Sequence, residues 1–242
     1  MNIISALSVD AALAAHVPLV FSEERAKGFL EARGLASVSA SSLSEHLPAL
    51  RQLAALGSSV VQLGDVRDVA VTWSLLAGLA ESQNKPRRFA SRVGTDVLPS
   101  ELALPLARAL EMNISRGSND VDLLAGGADV LVIDGRQSYG ALSSALAAAA
   151  PYVNRFIAVP RTESFGLLSE TVRSGGDVAT AAASAGWDPM QEAAGTKAAL
   201  FDFISSPSGL REWALSAHFA NGGGLTLLRR IALPLPPAAA MP

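Results

Sequence analysis

From Val60 to Val159 the chain alternates short apolar runs with helical segments, and this alternation constrains the fold more than any other feature of the sequence. The runs Val60 to Leu63, Arg88 to Val93, Asn113 to Arg116, Asp129 to Asp134 and Phe156 to Val159 read as strands. Segments near 69–82, 100–111 and 139–150 read as helices. Val130-Leu131-Val132-Ile133 is apolar at every position, which is what a strand needs when helices cover both faces of its sheet. The pattern predicts an α/β chain with a doubly wound, mostly parallel sheet whose ligands sit at the carboxyl ends of the strands.

The flanking regions are less regular. Residues 1–41 read as a helical lead-in, 42–231 as the main domain and 232–242 as an extended Pro/Ala-rich tail. Ser42 and Glu45 have the spacing of a capping box, Leu43, Leu47, Leu50 and Leu53 follow at helical intervals, and Gly57 is placed for a left-handed C-cap. Leu167 to Thr196, rich in Gly, Ala and Ser, reads as an excursion or flap. After a helix around Ala198 to Ser205, two apolar runs, Trp213 to Phe219 and Leu225 to Leu228, are joined through Asn221-Gly222-Gly223-Gly224 and predict a hairpin.

Composition removes several function classes. The 242 residues are 50% apolar but only 5% aromatic, and 44 of them are Ala, so a mean hydropathy of +0.31 reflects alanine. No run approaches the roughly 20 apolar residues that cross a bilayer, so no membrane partner is expected. The net charge is −3 and the 16 Arg and 3 Lys are scattered, which leaves no basic stripe for nucleic acid. There is no Cys, and His16, His46 and His218 lie too far apart for the usual helical zinc spacing. No positive charge precedes Arg25, so no leader is expected and the cytoplasm is the expected location.

The candidate chemistry sits at strand ends. Gln62 and Gly64 close the first run at a strand-to-helix turn, where a nucleotide-type cofactor meets such a sheet; an ordinary turn is the plain alternative. Asp96 follows the second run and is placed to accept ribose hydroxyls or to cap the next helix. Asn119 and Asp120 follow the third, as purine contacts or as caps. Asp134, after the fourth run, is placed as a base or as a turn carboxylate. Tyr139 and Arg161 are placed to orient an acceptor, and Arg161 either attracts an anionic substrate or pairs with Asp134 and closes the site. Glu163 and Ser164 lie just beyond it.

An ordered set of segments then resembles a family. Ser44-Glu45-His46-Leu47-Pro48-Ala49-Leu50, Val60-Val61-Gln62-Leu63-Gly64, Thr72-Trp73-Ser74-Leu75-Leu76, Asp129 to Tyr139, Arg155 to Gly166, Glu212-Trp213, His218-Phe219 and Asn221 to Arg230 are the segments concerned. Together they are similar to class I S-adenosylmethionine-dependent methyltransferases of the cephalosporin-hydroxylase and macrocin O-methyltransferase group. The resemblance implies a Rossmann-like, seven-stranded sheet with an antiparallel last strand. It implies S-adenosylmethionine over the turn after Gly64, with the ribose near Asp96, the adenine near Asn119 and Asp120 and the methyl group facing Asp134. The chain departs from the family at Gln62, where an acid is usual, in lacking the later glycines of the turn, at Gln137 in place of His, and at Pro160-Arg161 in place of His-Asp. The last change swaps a metal-ligating carboxylate for a cation, so no metal is expected. The readings that follow are a metal-independent methyltransferase acting on an oxygen or nitrogen of a small, anionic acceptor, or a catalytically silent protein of the same fold serving as a binding or assembly subunit. A homo-oligomer stays open. A nicotinamide oxidoreductase fits worst, because no Gly-x-Gly-x-x-Gly follows the first run.

Overall fold

The computed structural model describes residues 20–38, 41–64, 68–92, 98–117 and 119–232. The helical lead-in before residue 20 and the tail after 232 lie outside them, as does Asp96. Helix α1 (Glu23–Val38) and, after a short 3-10 turn, α2 (Leu47–Leu56) precede β1 (Ser59–Leu63). Then come α3 (Val69–Glu81), β2 (Arg87–Ser91), α4 (Ser100–Ala109), β3 (Met112–Arg116), α5 (Asp120–Leu124), β4 (Ala128–Ile133), α6 (Tyr139–Ala149) and β5 (Val153–Pro160). The excursion carries α7 (Glu170–Arg173), α8 (Val178–Ala185) and α9 (Pro189–Ala193). Helices α10 (Thr196–Ser205) and α11 (Gly209–Glu212) lead to β6 (Trp213–Phe219) and β7 (Leu225–Arg230).

The seven strands form one sheet in the order β3-β2-β1-β4-β5-β7-β6. The first five are parallel; β7 runs antiparallel to β5 and pairs with β6 as the glycine-linked hairpin anticipated from the sequence. Gly222, Gly223 and Gly224 turn that hairpin at φ of 50°, 81° and 92°. Successive side chains of each strand go to opposite faces. Val60, Val130 and Val132 join one apolar cluster with α1 to α4, whereas Val61, Leu131 and Ile133 join another with α6 and α10. Both faces of the sheet are thus covered, the physical reason for the unbroken apolar run in β4. Helix α3 is buried from Ala70 to Ala80 between β1 and helices α1 and α2, and Phe29 of α1 meets Trp73 of α3 edge-on at 6.1 Å.

Two local expectations fail. The Ser42 and Glu45 capping box does not form: α2 starts at Leu47 without a side-chain cap, and Glu45 instead accepts a hydrogen bond from the Asn221 amide of the distant hairpin. Gly57 ends α2 in an extended conformation (φ −105°, ψ 173°) and not a left-handed one. Close packing is the demand on it, since a Cβ there would lie 2.9 Å from that of Asp129.

Candidate active site

The carboxyl ends of β1, β4 and β5 lie side by side, and those of β1 and β4 meet at Gly64 and Gly135. Gly64 has φ of +101°, and a Cβ on it would lie 2.3 Å from Gly135 Cα. Neither conformation nor space admits a side chain at Gly64, so Gly64 and Gly135 meet through backbone alone. The Asp134 N–H donates to Leu63 O (2.9 Å) and fixes the offset between the two strand ends.

Beside this contact lies a cluster of charge. Asp134 is fully buried and its Oδ1 accepts from Arg161 Nη1. Arg161 Nη2 stands 3.7 Å from Asp68 Oδ2, so one guanidinium spans two buried carboxylates. Asp68 is held in turn: it caps α3 by accepting from Ala70 N–H (3.1 Å) and takes the Ser41 hydroxyl at 2.7 Å. Arg161 occupies a left-handed backbone conformation, φ +62°, where a β-carbon is unfavourable. Its N–H donates to Gly224 O (2.7 Å) and its carbonyl accepts from Phe165 N–H (3.0 Å), contacts that hold the turn in that shape. Arg161 is thus paired with Asp134.

Gln62, also fully buried, faces α3. Its Oε1 accepts from Thr72 Oγ1 at 3.0 Å, while among the described residues its Nε2 has no acceptor. A buried amide donor with no acceptor among the described residues, two positions before Gly64, is one that a polar group of a ligand could take up.

Other expected site residues go elsewhere. Tyr139 is the first residue of α6, which Ser138 caps through Ala141 N–H (3.3 Å). The Tyr139 ring packs against the cluster shared with α10, and its hydroxyl donates to Asp202 at 2.9 Å. Asn119 acts as a cap: its Oδ1 accepts from Asp122 N–H (2.9 Å) and its Nδ2 donates to Asp122 Oδ2 (2.8 Å). Asp120 lies 3.5 Å from Arg92 Nε.

Glu163, just beyond Arg161, gains partners from two distant elements. Lys197 Nζ of α10 and His218 Nε2 of β6 each lie 2.6 Å from Glu163 Oε1. Hydrogen bonds from Lys197 and then His218 hold the Glu163 carboxyl below the ordinary glutamate range. His218 Nδ1 continues to Thr226 Oγ1 (2.9 Å), which donates to Thr162 Oγ1 (3.0 Å). No sequence pattern joins these residues, because α10, β6 and the loop after β5 contribute them.

The residues after Asp134 anchor the excursion. Arg136 Nη2 donates to the buried Glu192 of α9 (2.8 Å), which also accepts from Thr171 of α7. The Arg136 guanidinium sits 5.8 Å from the Trp187 ring centroid. Glu170 N–H donates to Gln137 O (2.9 Å), and Tyr139 N–H to Ala194 O (2.8 Å).

No protein-family model matches the chain, and no curated protein matches its sequence. Among solved structures it is similar to cofactor-bound Rv0187 from MTB, with 16% identity over 83% of this chain and 88% of that one and a TM-score of 0.50. A Bacillus cereus O-methyltransferase in complex with SAH matches at 14% identity, 93% and 88% coverage and a TM-score of 0.46. At such identities the likeness is one of fold. Among the described residues no helix is long and apolar enough to cross a membrane. The five parallel strands, the antiparallel β7 and the helices on both faces make this a Rossmann-like, seven-stranded, mostly parallel α/β fold, and that fold is what the chain shares with the solved structures.

Proposed function

We propose that the protein transfers a methyl group from S-adenosylmethionine to an oxygen or nitrogen of a small, anionic acceptor, and does so without a metal ion. The observation that carries this reading is the buried Asp134–Arg161 pair at the ends of β4 and β5, where a sheet of this topology binds its ligands. Gln62, Gly64 and Asp96 are the residues that would hold the cofactor. When bound, it supplies a sulfonium methyl group as the electrophile.

The chain's part is mainly positioning, since such a transfer needs an acceptor lone pair held in line at near-attack distance. Asp134 receives a hydrogen bond from the acceptor's O–H or N–H and takes up the proton it gives up. Arg161 keeps that carboxylate oriented and offsets the negative charge that builds on the acceptor. A divalent cation would need several oxygens with no cation beside them, whereas the carboxylates of Asp134 and Asp68 already face a guanidinium. This supports metal independence.

Calorimetric titration of the purified chain with S-adenosylmethionine and SAH tests the reading. Binding is expected, and Asp96→Ala is expected to weaken it by about 1.5–3 kcal/mol through loss of the partner for the ribose hydroxyls. Asp134→Asn should spare cofactor affinity and lower turnover. Absence of binding at millimolar cofactor would sink the enzyme. Activity abolished by EDTA and restored by magnesium would remove the metal-independent part alone.

A further inference from the structure

A cavity of about 290 Å3 opens at the carboxyl end of β5, lined by Glu163, Gly166, Leu167, Leu168, Arg173 and Lys197. Its volume is near the lower limit of small-molecule sites. A larger cavity, about 440 Å3, lies beside the amino end of β5, where Pro151, Phe203, Glu212 and Trp213 help to line it, remote from Asp134. Only the smaller of these two is at the end of the sheet where open α/β folds bind ligands.

Its walls are of two kinds. Leu167 and Leu168 are 83% and 52% exposed, an apolar pair with little of its surface covered. Opposite in character are two cations and one anion. Lys197 is neutralised by Glu163, whereas the guanidinium of Arg173 has as its hydrogen-bond partner among the described residues the uncharged carbonyl of Ser164. Among the described residues no ion pair to a carboxylate is formed by Arg173, so its positive charge faces the lining alongside the paired Lys197. The frame is fixed: Gly195, Thr196 and Lys197 donate their N–H groups to Leu167, Phe165 and Gly166 carbonyls at 3.1, 3.0 and 3.0 Å. Gly166 lets the Lys197 stem lie across the loop, since a Cβ there would be 2.9 Å from Lys197 Cδ and Cε and 2.3 Å from Thr162 O.

We propose that this cavity is the acceptor subsite and takes a small carboxylic acid with an apolar body, the carboxylate on Arg173 and the body against Leu167 and Leu168. The word acceptor rests on the methyl-transfer reading; the preference for an acid does not. A guanidinium fork matches a carboxylate in two parallel hydrogen bonds, and an uncharged amide of the same shape forfeits the charge-assisted part.

The probes are 3-hydroxybenzoate and its neutral counterpart 3-hydroxybenzamide, titrated calorimetrically into the full chain, with SAH titrated separately. The acid is expected to bind about tenfold more tightly than the amide. Arg173→Gln should erase that preference, Arg173→Lys should restore part of it, and Leu167→Ser should weaken both probes alike. Arg173 and Leu167 are exposed, so thermal melts matching the wild type are expected to show intact folding. Equal affinity for acid and amide, a preference that survives Arg173→Gln, or no binding of either at millimolar concentration would overturn the proposal. Acid preference without SAH binding would leave an acid-binding site in a protein that is no methyltransferase; SAH binding without acid preference would remove the subsite and leave the enzyme.

Discussion

The two ends of the sheet differ in what most of the arginines compared there meet. At the amino ends of the parallel strands, guanidinium groups close off backbone carbonyls: Arg88 donates to Gly127 O (2.6 Å) and Leu123 O (2.5 Å), Arg155 to Leu56 O, and Arg230 to Ala150 O (3.1 Å) and Val153 O. These carbonyls lie at or near the ends of α2, α5 and α6, where orphan acceptors collect. Burial pushes the Arg88 pKa down, because a carbonyl dipole offsets less of the desolvation than a carboxylate would. At the carboxyl ends, Arg161 and Arg136 instead meet the buried carboxylates of Asp134 and Glu192. At the first end carbonyls are the main partners, with Glu212 a further one for Arg230, whereas Arg161 and Arg136 turn to fully buried acids. Buried ion pairs are a weak source of stability and a common mark of function.

Removing the cation at each end should therefore have unequal effects. Arg161→Ala strands Asp134 without its counter-ion and is expected to cost about 3 kcal/mol in urea denaturation. Adding Asp134→Asn should recover a substantial part of the loss, and a strictly additive double variant would show that the two groups do not couple. Arg230→Met at the opposite end should cost about 2 kcal/mol, because carbonyls lose their donors and Glu212 loses its partner, while cofactor affinity stays unchanged. A fall in affinity would break the division between a structural and a functional end.

Ser58→Ala makes a smaller cut, about 1 kcal/mol. Asp129 Oδ2 accepts from both the N–H (2.7 Å) and the hydroxyl (2.9 Å) of Ser58. Burial raises the Asp129 pKa, but hydrogen bonds from Ser58, Asn154 and Ser59 outweigh it and leave the carboxyl below the ordinary aspartate range. Glu163 at the other end is also lowered. For a depressed carboxyl, the stabilisation is complete above the unfolded pKa and disappears as pH falls through the lower folded value. Stability should thus be flat at neutral pH and decline once pH drops below about 4. Ser58→Ala should blunt that decline through Asp129, and Lys197→Met through Glu163. Equal acid sensitivity in wild type and both variants would show that other carboxylates govern it.

Elements governed by local periodicity were legible in the sequence. The run Val130 to Ile133 announces a strand covered on both faces, and the glycines at 222–224 announce the hairpin. Interactions between distant residues were not legible. Glu45 is taken by Asn221, in place of the capping box its spacing suggested, and the Tyr139 hydroxyl by Asp202, partners that no local spacing foretells. At Asp134 and Arg161 the residue types already narrowed the choice: opposite charges at neighbouring strand ends either pair or receive a ligand. Glu163, Lys197 and His218 come together only because α10, β6 and the loop after β5 converge, a property of topology and not of any motif.

The packing of Trp187 on Arg136 and Gly140 has an optical consequence. A Cβ on Gly140 would stand 2.8 Å from the indole, so the ring rests directly on the first turn of α6. The other two tryptophans, Trp73 and Trp213, are each only 4% exposed and belong to the cores on opposite faces of the sheet. Trp187 is the half-buried one, carried by the excursion and seated against the segment that follows Asp134. Quenching by an added solute separates these populations, so the chain reports the attachment of its own excursion by intrinsic fluorescence, without a label.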